Sequence, residues 1–160
     1  ISQTPFGWQS DHDKPTLVGR RRNEQNLSKG MWGERDQGLI VTTQLAKKHG
    51  IKTILKPHIW LRRRSGAWRG EIAMTSEADW QKWFQAYEEF ILHYALLAEQ
   101  ENIEMLCIAT ELHQTCVERN EDWRKLIAIT SRLGNRPSNR QAFWITIWVL
   151  YLQPHIKVFV

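Results

Sequence analysis

The alternation of apolar and polar positions divides the chain into a repeating order of strand and helix. Residues 1–8, ISQTPFGW, read as the end of a strand that turns at Pro5 and Gly7. Residues 9–33 are polar and hold Gly, Pro, Asn and Arg, the composition of a long loop; loops of that length inside a compact domain usually carry function. ERDQGLIVTTQLAKKHG (34–50) predicts a helix, opened by acidic residues, with Lys47 and Lys48 suited to its C-terminal dipole and Gly50 as a stop. IKTILKPHIWL (51–61) follows at once. Its Ile51, Thr53, Ile54 and Leu55 form a short β-branched apolar run, a buried strand, and Pro57 ends regular pairing.

A second loop, RRRSGAWRGEIAM (62–74), leads to the strongest pattern in the chain, residues 75–102. Ser76 and Asp79 have capping-box spacing, with Asp in place of the usual Glu or Gln. Trp80, Trp83, Phe84, Tyr87, Phe90, Ile91, Tyr94, Leu97 and Ala98 form a stripe at helical period, a core-facing stripe rather than a cofactor box. IEMLCIATEL (103–112) predicts the next strand. NEDWRKLIAITSRLG (120–134) predicts a further helix, with Asn120 as N-cap and Gly134 as stop. Strand and helix alternate with no hairpin signal, so the expected class is α/β, a parallel sheet with right-handed crossovers. Residues 135–160 differ: a loop-like NRPSNRQ precedes AFWITIWVLYLQPHIKVFV, which has room for one or two strands and is too short to span a membrane.

Composition changes this picture in one respect. Of 160 residues, 42% are hydrophobic and 24% charged, as in a globular domain, but nine are Trp. An indole offers a broad apolar face and one N–H donor, so part of this set belongs to the core and part to a ligand groove. The net charge of +5 and pI near 9.4 rest largely on GRRRN (19–23) and RRRSG (62–66), both in loop contexts. Solvated loops explain them. A nucleic-acid-binding domain is the lesser alternative, because no recognition helix or RNP-type signature accompanies the arginines. Cys107 reads as a buried thiol, and with Cys116 it forms neither a metal pattern nor a disulfide framework.

In a parallel α/β array, functional groups gather at the carboxyl ends of the strands. The first strand ends in PFGWQ. The second ends in LKPHIW, presenting Lys56, His58 and Trp60. The third ends in ATELH, presenting Thr110, Glu111 and His113. A carboxyl leaving a buried strand sits half out of water, where the protonated form is favoured and a proton can pass to a leaving group. Indole faces suit the C–H faces of sugar rings, and Lys56 and His58 can hydrogen-bond hydroxyls. Retaining glycoside hydrolysis requires two such carboxyls.

LKPHIWL, GAWRGEI, the spaced aromatics W..WF..Y..FI..YA.LAE and CIATEL together resemble glycoside hydrolase family 113, a β-mannanase family within the retaining clan of (β/α)8 glycosidases. The similarity runs from Thr4 to Leu133 and includes the spacing between motifs. It implies part of a TIM barrel, about strands two to four or five with their helices. It also implies that Glu111 is the general acid/base and that PFGW, MWGE and KPHIW face the substrate. Lys56, His58, Trp60, Trp68, Arg69, Thr110 and His113 become candidates for sugar contacts, with no metal or cofactor. The wider clan has Asn before its acid/base Glu where this chain has Thr110. The family nucleophile, a second Glu closing strand seven, has no counterpart here. The expected division is a glycosidase-like unit over residues 1–134 and an atypical tail over 135–160, as from a truncated or frame-altered gene. The expected partner is a β-linked oligo- or polysaccharide, not nucleic acid. A non-catalytic carbohydrate-binding remnant is the alternative, and the open edges of a partial barrel favour self-association.

Overall fold

The computed structural model describes residues 1–18, 31–62, 66–134 and 144–148. Its first strand is broken in two, β1 (Ser2–Gln3) and β2 (Phe6–Gln9), and so is its second, β4 (Ile54–Leu55) and β5 (His58–Leu61). The register runs Ser2 to Ile54, Gln3 to Leu55 and Phe6 to His58, which sets Pro5 opposite Pro57. Lys56 and His58 still donate their N–H groups to the carbonyls of Gln3 and Pro5, both at 2.8 Å. Pro5 has no N–H to return, so both strands are interrupted at one level.

Strand β6 (Met105–Thr110) pairs with β4, and β7 (Trp144–Trp148) pairs with β6 across a register shift between Cys107 and Ala109. The sheet order is β1-β4-β6-β7, with every pairing parallel. Beyond the prolines, β2 and β5 form a second sheet with β3 (Leu17–Val18), in the order β3-β2-β5. This β3 corrects the expectation of a plain loop with no hairpin. It returns antiparallel onto Trp8 and Gln9, after a turn in which Lys14 N–H reaches the Asp11 carbonyl. Two paired residues are too few to leave a readable alternation.

Helices cover one side of the sheet. A 3₁₀ turn (Trp32–Glu34) precedes α1 (Asp36–Lys48); α2 (Glu77–Gln100), α3 (His113–Glu118) and α4 (Asn120–Gly134) follow. The cap of α2 forms as its spacing predicts, with Asp79 N–H donating to Ser76 Oγ. The aromatic stripe of α2 packs into the core between sheet and α4: Trp83 stacks on Tyr87 at 4.8 Å, Trp123 of α4 meets Tyr87 edge-on, and Tyr87 donates its hydroxyl to the Ile108 carbonyl of β6. Phe84 is only partly buried against this cluster. At the junction of α3 and α4, Arg119 binds both oxygens of Glu77 and also Asp122, and lies over the Trp80 ring. This clamps the start of α2 to the α3–α4 junction.

The Trp set divides as its chemistry suggests. Trp80, Trp83 and Trp123 are buried, whereas Trp8, Trp32, Trp60 and Trp68 are exposed. No helix among the described residues is long and apolar enough to cross a membrane. Arg62 is exposed; Arg20–Arg22, Arg63 and Arg64 lie outside the described residues.

Candidate active site

Glu111 follows the last residue of β6 directly, at the carboxyl end of the strand. Its backbone is left-handed, with φ +58°, a conformation that costs a residue with a Cβ roughly 1–2 kcal/mol. The strand therefore turns abruptly at this carboxylate, and Leu112 is buried immediately behind it. Strain held at one functional group is characteristic of sites where side-chain direction matters more than local stability.

The segment GAWRGEI supplies the partners of Glu111. Trp68 donates its indole N–H to Glu111 Oε2 at 3.2 Å. Arg69 Nη1 lies 3.6 Å from the same oxygen, with both side chains about one-fifth exposed. Arg69 also donates to His58 Nδ1 at 2.5 Å, and its guanidinium lies 5.8 Å from the centre of the Trp60 ring. These contacts bring together five of the residues singled out from the sequence: His58, Trp60, Trp68, Arg69 and Glu111.

His58 is 7% exposed. Burial, then the positive charges of Arg69 and Lys56, hold its pKa down to about 4 against the opposing pull of Glu111. The ring is thus neutral near pH 7. Because Arg69 can only donate, Nδ1 is the acceptor and Nε2 carries the proton. Lys56, half-buried two residues earlier, acts on this ring through its charge. Thr110 is buried, with its hydroxyl 3.5 Å from Cys107 Sγ, back along its own strand. His113 is half-buried at the start of α3.

The family resemblance places PFGW and KPHIW towards the substrate; sequence reading does not give the pairing of their rings or the turn that supports Trp68. Phe6 pairs in register with His58, and Trp8 with Trp60. Phe6 meets the Trp60 ring edge-on at 5.6 Å, and Trp8 lies 6.1 Å from it. The matched alternation of PFGWQ and PHIWL is the signal that carries this pairing. The support is a 3₁₀ turn, Arg69–Glu71, anchored by the buried Ile72 and Met74 that follow it. On the loop after β2, ligand atoms of Asp11, His12 and Asp13 lie within 4.8 Å of one another, close enough to share an ion. These groups are half-exposed, and His12 already pairs with Asp11 at 2.8 Å.

A neutral imidazole with its proton on Nε2, a carboxylate anchored through one oxygen and exposed indoles side by side can bind a polyol and exchange a proton with it. Residues 29–134 match the family model of Glycoside Hydrolase Family 113. A solved GH113 β-1,4-mannanase complex superposes with TM-score 0.69 at 26% identity over 91% of this chain, and a second solved GH113 β-1,4-mannanase structure gives 0.68 at 27% over the same share. The GH113 β-mannanase of Alicyclobacillus acidocaldarius, solved in complex with ManMIm, shares the fold with TM-score 0.67 at 24% identity over 90% of this chain. This chain spans 42–44% of the length of those three. No curated protein matches it. The fold is accordingly part of a (β/α)8 barrel, and the chain belongs to Glycoside Hydrolase Family 113.

Proposed function

We propose that this chain carries the acid/base side of a retaining glycoside-hydrolase site for a β-linked hexose polymer of the mannan type. One observation supports this above the rest. Glu111 stands in strained backbone at a strand end, with Trp68 and Arg69 both directed at Oε2. Anchoring one oxygen leaves Oε1 to meet a glycosidic oxygen. In the proposed reaction the carboxyl gives its proton to the departing sugar oxygen and later takes one from the incoming water.

The other residues serve binding in this reading. His58 donates its Nε2 proton to a sugar hydroxyl, and Lys56 and Arg69 place positive charge beside it. Trp60 and Trp68, each a little more than one-third exposed, offer faces on which sugar rings stack. Thr110 and His113 flank Glu111 in the chain and border the same subsite. The nucleophilic carboxylate comes from outside the described residues, and the unit responsible for binding is residues 1–134 rather than the tail.

The test is titration of the purified chain with mannotetraose, followed by tryptophan fluorescence. The expected result is a saturable change, abolished in Trp60→Ala and weakened in His58→Ala, with little dependence on salt. No saturable change at millimolar sugar, or an unaltered one in Trp60→Ala, overturns the proposal.

A further inference from the structure

We propose that Glu71 is a positioning residue, whose carboxylate fixes Trp68 so that the indole N–H reaches Glu111. The inference rests on the acid/base reading of Glu111 and adds the means by which that carboxylate is aimed.

Three contacts form a closed unit. Glu71 Oε2 accepts the backbone N–H of Trp68 at 2.7 Å, and Glu71 N–H in turn reaches the Trp68 carbonyl at 2.9 Å. The backbone of Trp68 is therefore held at both its polar groups by a residue three positions on. The second contact is steric. A Cβ at Gly70 would stand 2.0 to 2.5 Å from three carbons of the Trp68 ring, so the indole lies flat on the space that glycine leaves. The third is the outcome: with its backbone held and its ring seated, Trp68 delivers Nε1–H to Glu111 Oε2, 43 residues away in the chain.

Chemistry separates this role from a reacting one. A nucleophile needs the charge of a carboxylate, whereas an acceptor for a backbone N–H needs only an oxygen. Here Glu71 spends an oxygen on a backbone donor, which an amide oxygen would serve as well as a carboxylate does. Buried Ile72 and Met74 hold the turn from behind, and Ala73 N–H bonds to the His12 carbonyl at 3.1 Å. The turn is thus tied to the β2 side of the sheet while it supports the residue at the end of β6.

The experiment follows the Trp68 indole N–H in ¹H–¹⁵N spectra of the full chain, assigned by its loss in Trp68→Phe. Glu111→Ala gives the reference position for an indole without its acceptor. Glu71→Ala is expected to move the signal to that position, and Glu71→Gln to leave it at the wild-type one. Gly70→Ala, which keeps Glu71 but fills the seat of the ring, is expected to displace the signal as well; it serves as the second variant should Glu71→Ala fail to fold by circular dichroism. An unmoved signal in Glu71→Ala or in Gly70→Ala overturns the proposal, as does equal displacement by Gln and Ala. Adding mannotetraose to the wild type separates the two readings. A Trp68 signal that obeys the variants but ignores the sugar leaves the positioning role standing and defeats the sugar-site reading. A signal that answers the sugar but not the variants does the reverse.

Discussion

Arg69 donates to His58 Nδ1 at 2.5 Å, and so selects the tautomer of a histidine that is almost wholly buried. The same cation reaches Glu111, so one side chain fixes the tautomer of an imidazole and holds a carboxylate in place. With the pKa of His58 lowered from 6.5 to about 4, the unfolded chain binds a proton between those values that the folded chain refuses. Stability is therefore expected to fall as pH drops from 6.5 towards 4, by up to about 3 kcal/mol from this group, and to lose nothing further from it below that range. Urea unfolding at pH 7, 5.5 and 4 measures it. In Arg69→Met the His58 value should rise only part of the way to 6.5, because burial is the larger cause. Equal slopes with pH in the wild type and in His58→Gln would refute this account.

The left-handed backbone at Glu111 makes a separate prediction about stability. Asn adopts this conformation more readily than longer side chains do. Both Glu111→Gln and Glu111→Asn remove the carboxylate; comparing them in a Trp68→Phe background, where the indole N–H is gone, leaves the backbone as their main difference. Glu111→Asn is expected to be the more stable by about 1 kcal/mol, a margin in the range of known left-handed strain. Thermal melting of the two variants decides it, and a Gln variant as stable as the Asn variant would show that no strain is stored there.

Turnover is predicted to be absent or slight. Retaining hydrolysis passes through a covalent glycosyl-enzyme and needs a nucleophile as well as an acid/base. Glu111 supplies one of these, and Glu71 serves as the support of Trp68. A reducing-sugar assay on β-mannan, with Glu111→Gln as control, should give no difference between the two chains. Clear activity lost in the variant would mean that a second carboxylate acts within these 160 residues.

The basic character of the chain permits a further check. Binding to nucleic acid through loop arginines would weaken steeply with salt, because each phosphate contact releases counterions. Sugar binding by indole faces and neutral hydrogen bonds would change little. Comparing a mannotetraose titration with one using single-stranded DNA, each at 50 and 300 mM salt, is expected to leave the first nearly unaltered and to show no tight phase in the second.

Particular residues explain what could be read from the sequence and what could not. Helix α2 announces itself because nine apolar positions from Trp80 to Ala98 keep one period within its 24 residues, with a Ser76–Asp79 cap in front. Glu111, His58 and Trp60 are readable for a different reason: a polar group that closes a buried strand has few ordinary explanations. The six-residue α3 and the two-residue β3 are shorter than the period that would reveal them. Residues 144–148 form one parallel strand within a tail in which the alternation allows one or two. The bond from Trp68 to Glu111 crosses 43 residues and depends on how a turn seats a ring, which no local spacing encodes.

The facing prolines have a consequence for assembly. Parallel strands of mixed apolar and polar residues can, in principle, align one step out of place, which turns every side chain to the wrong side. Here such a slip would take the amides of Lys56 and His58 away from the carbonyls of Gln3 and Pro5 and turn the alternate face of the strand, with Pro57, towards the first strand. Pro57 thus stands at a position whose nitrogen faces away from the first strand, where a missing N–H costs that pairing nothing, and Phe6 with His58 and Trp8 with Trp60 follow as matched pairs. A proline moved to position 56 or 58 would instead remove a donor that the first strand uses, so the break between the two sheets is tolerated at one phase of the strand and not at the next.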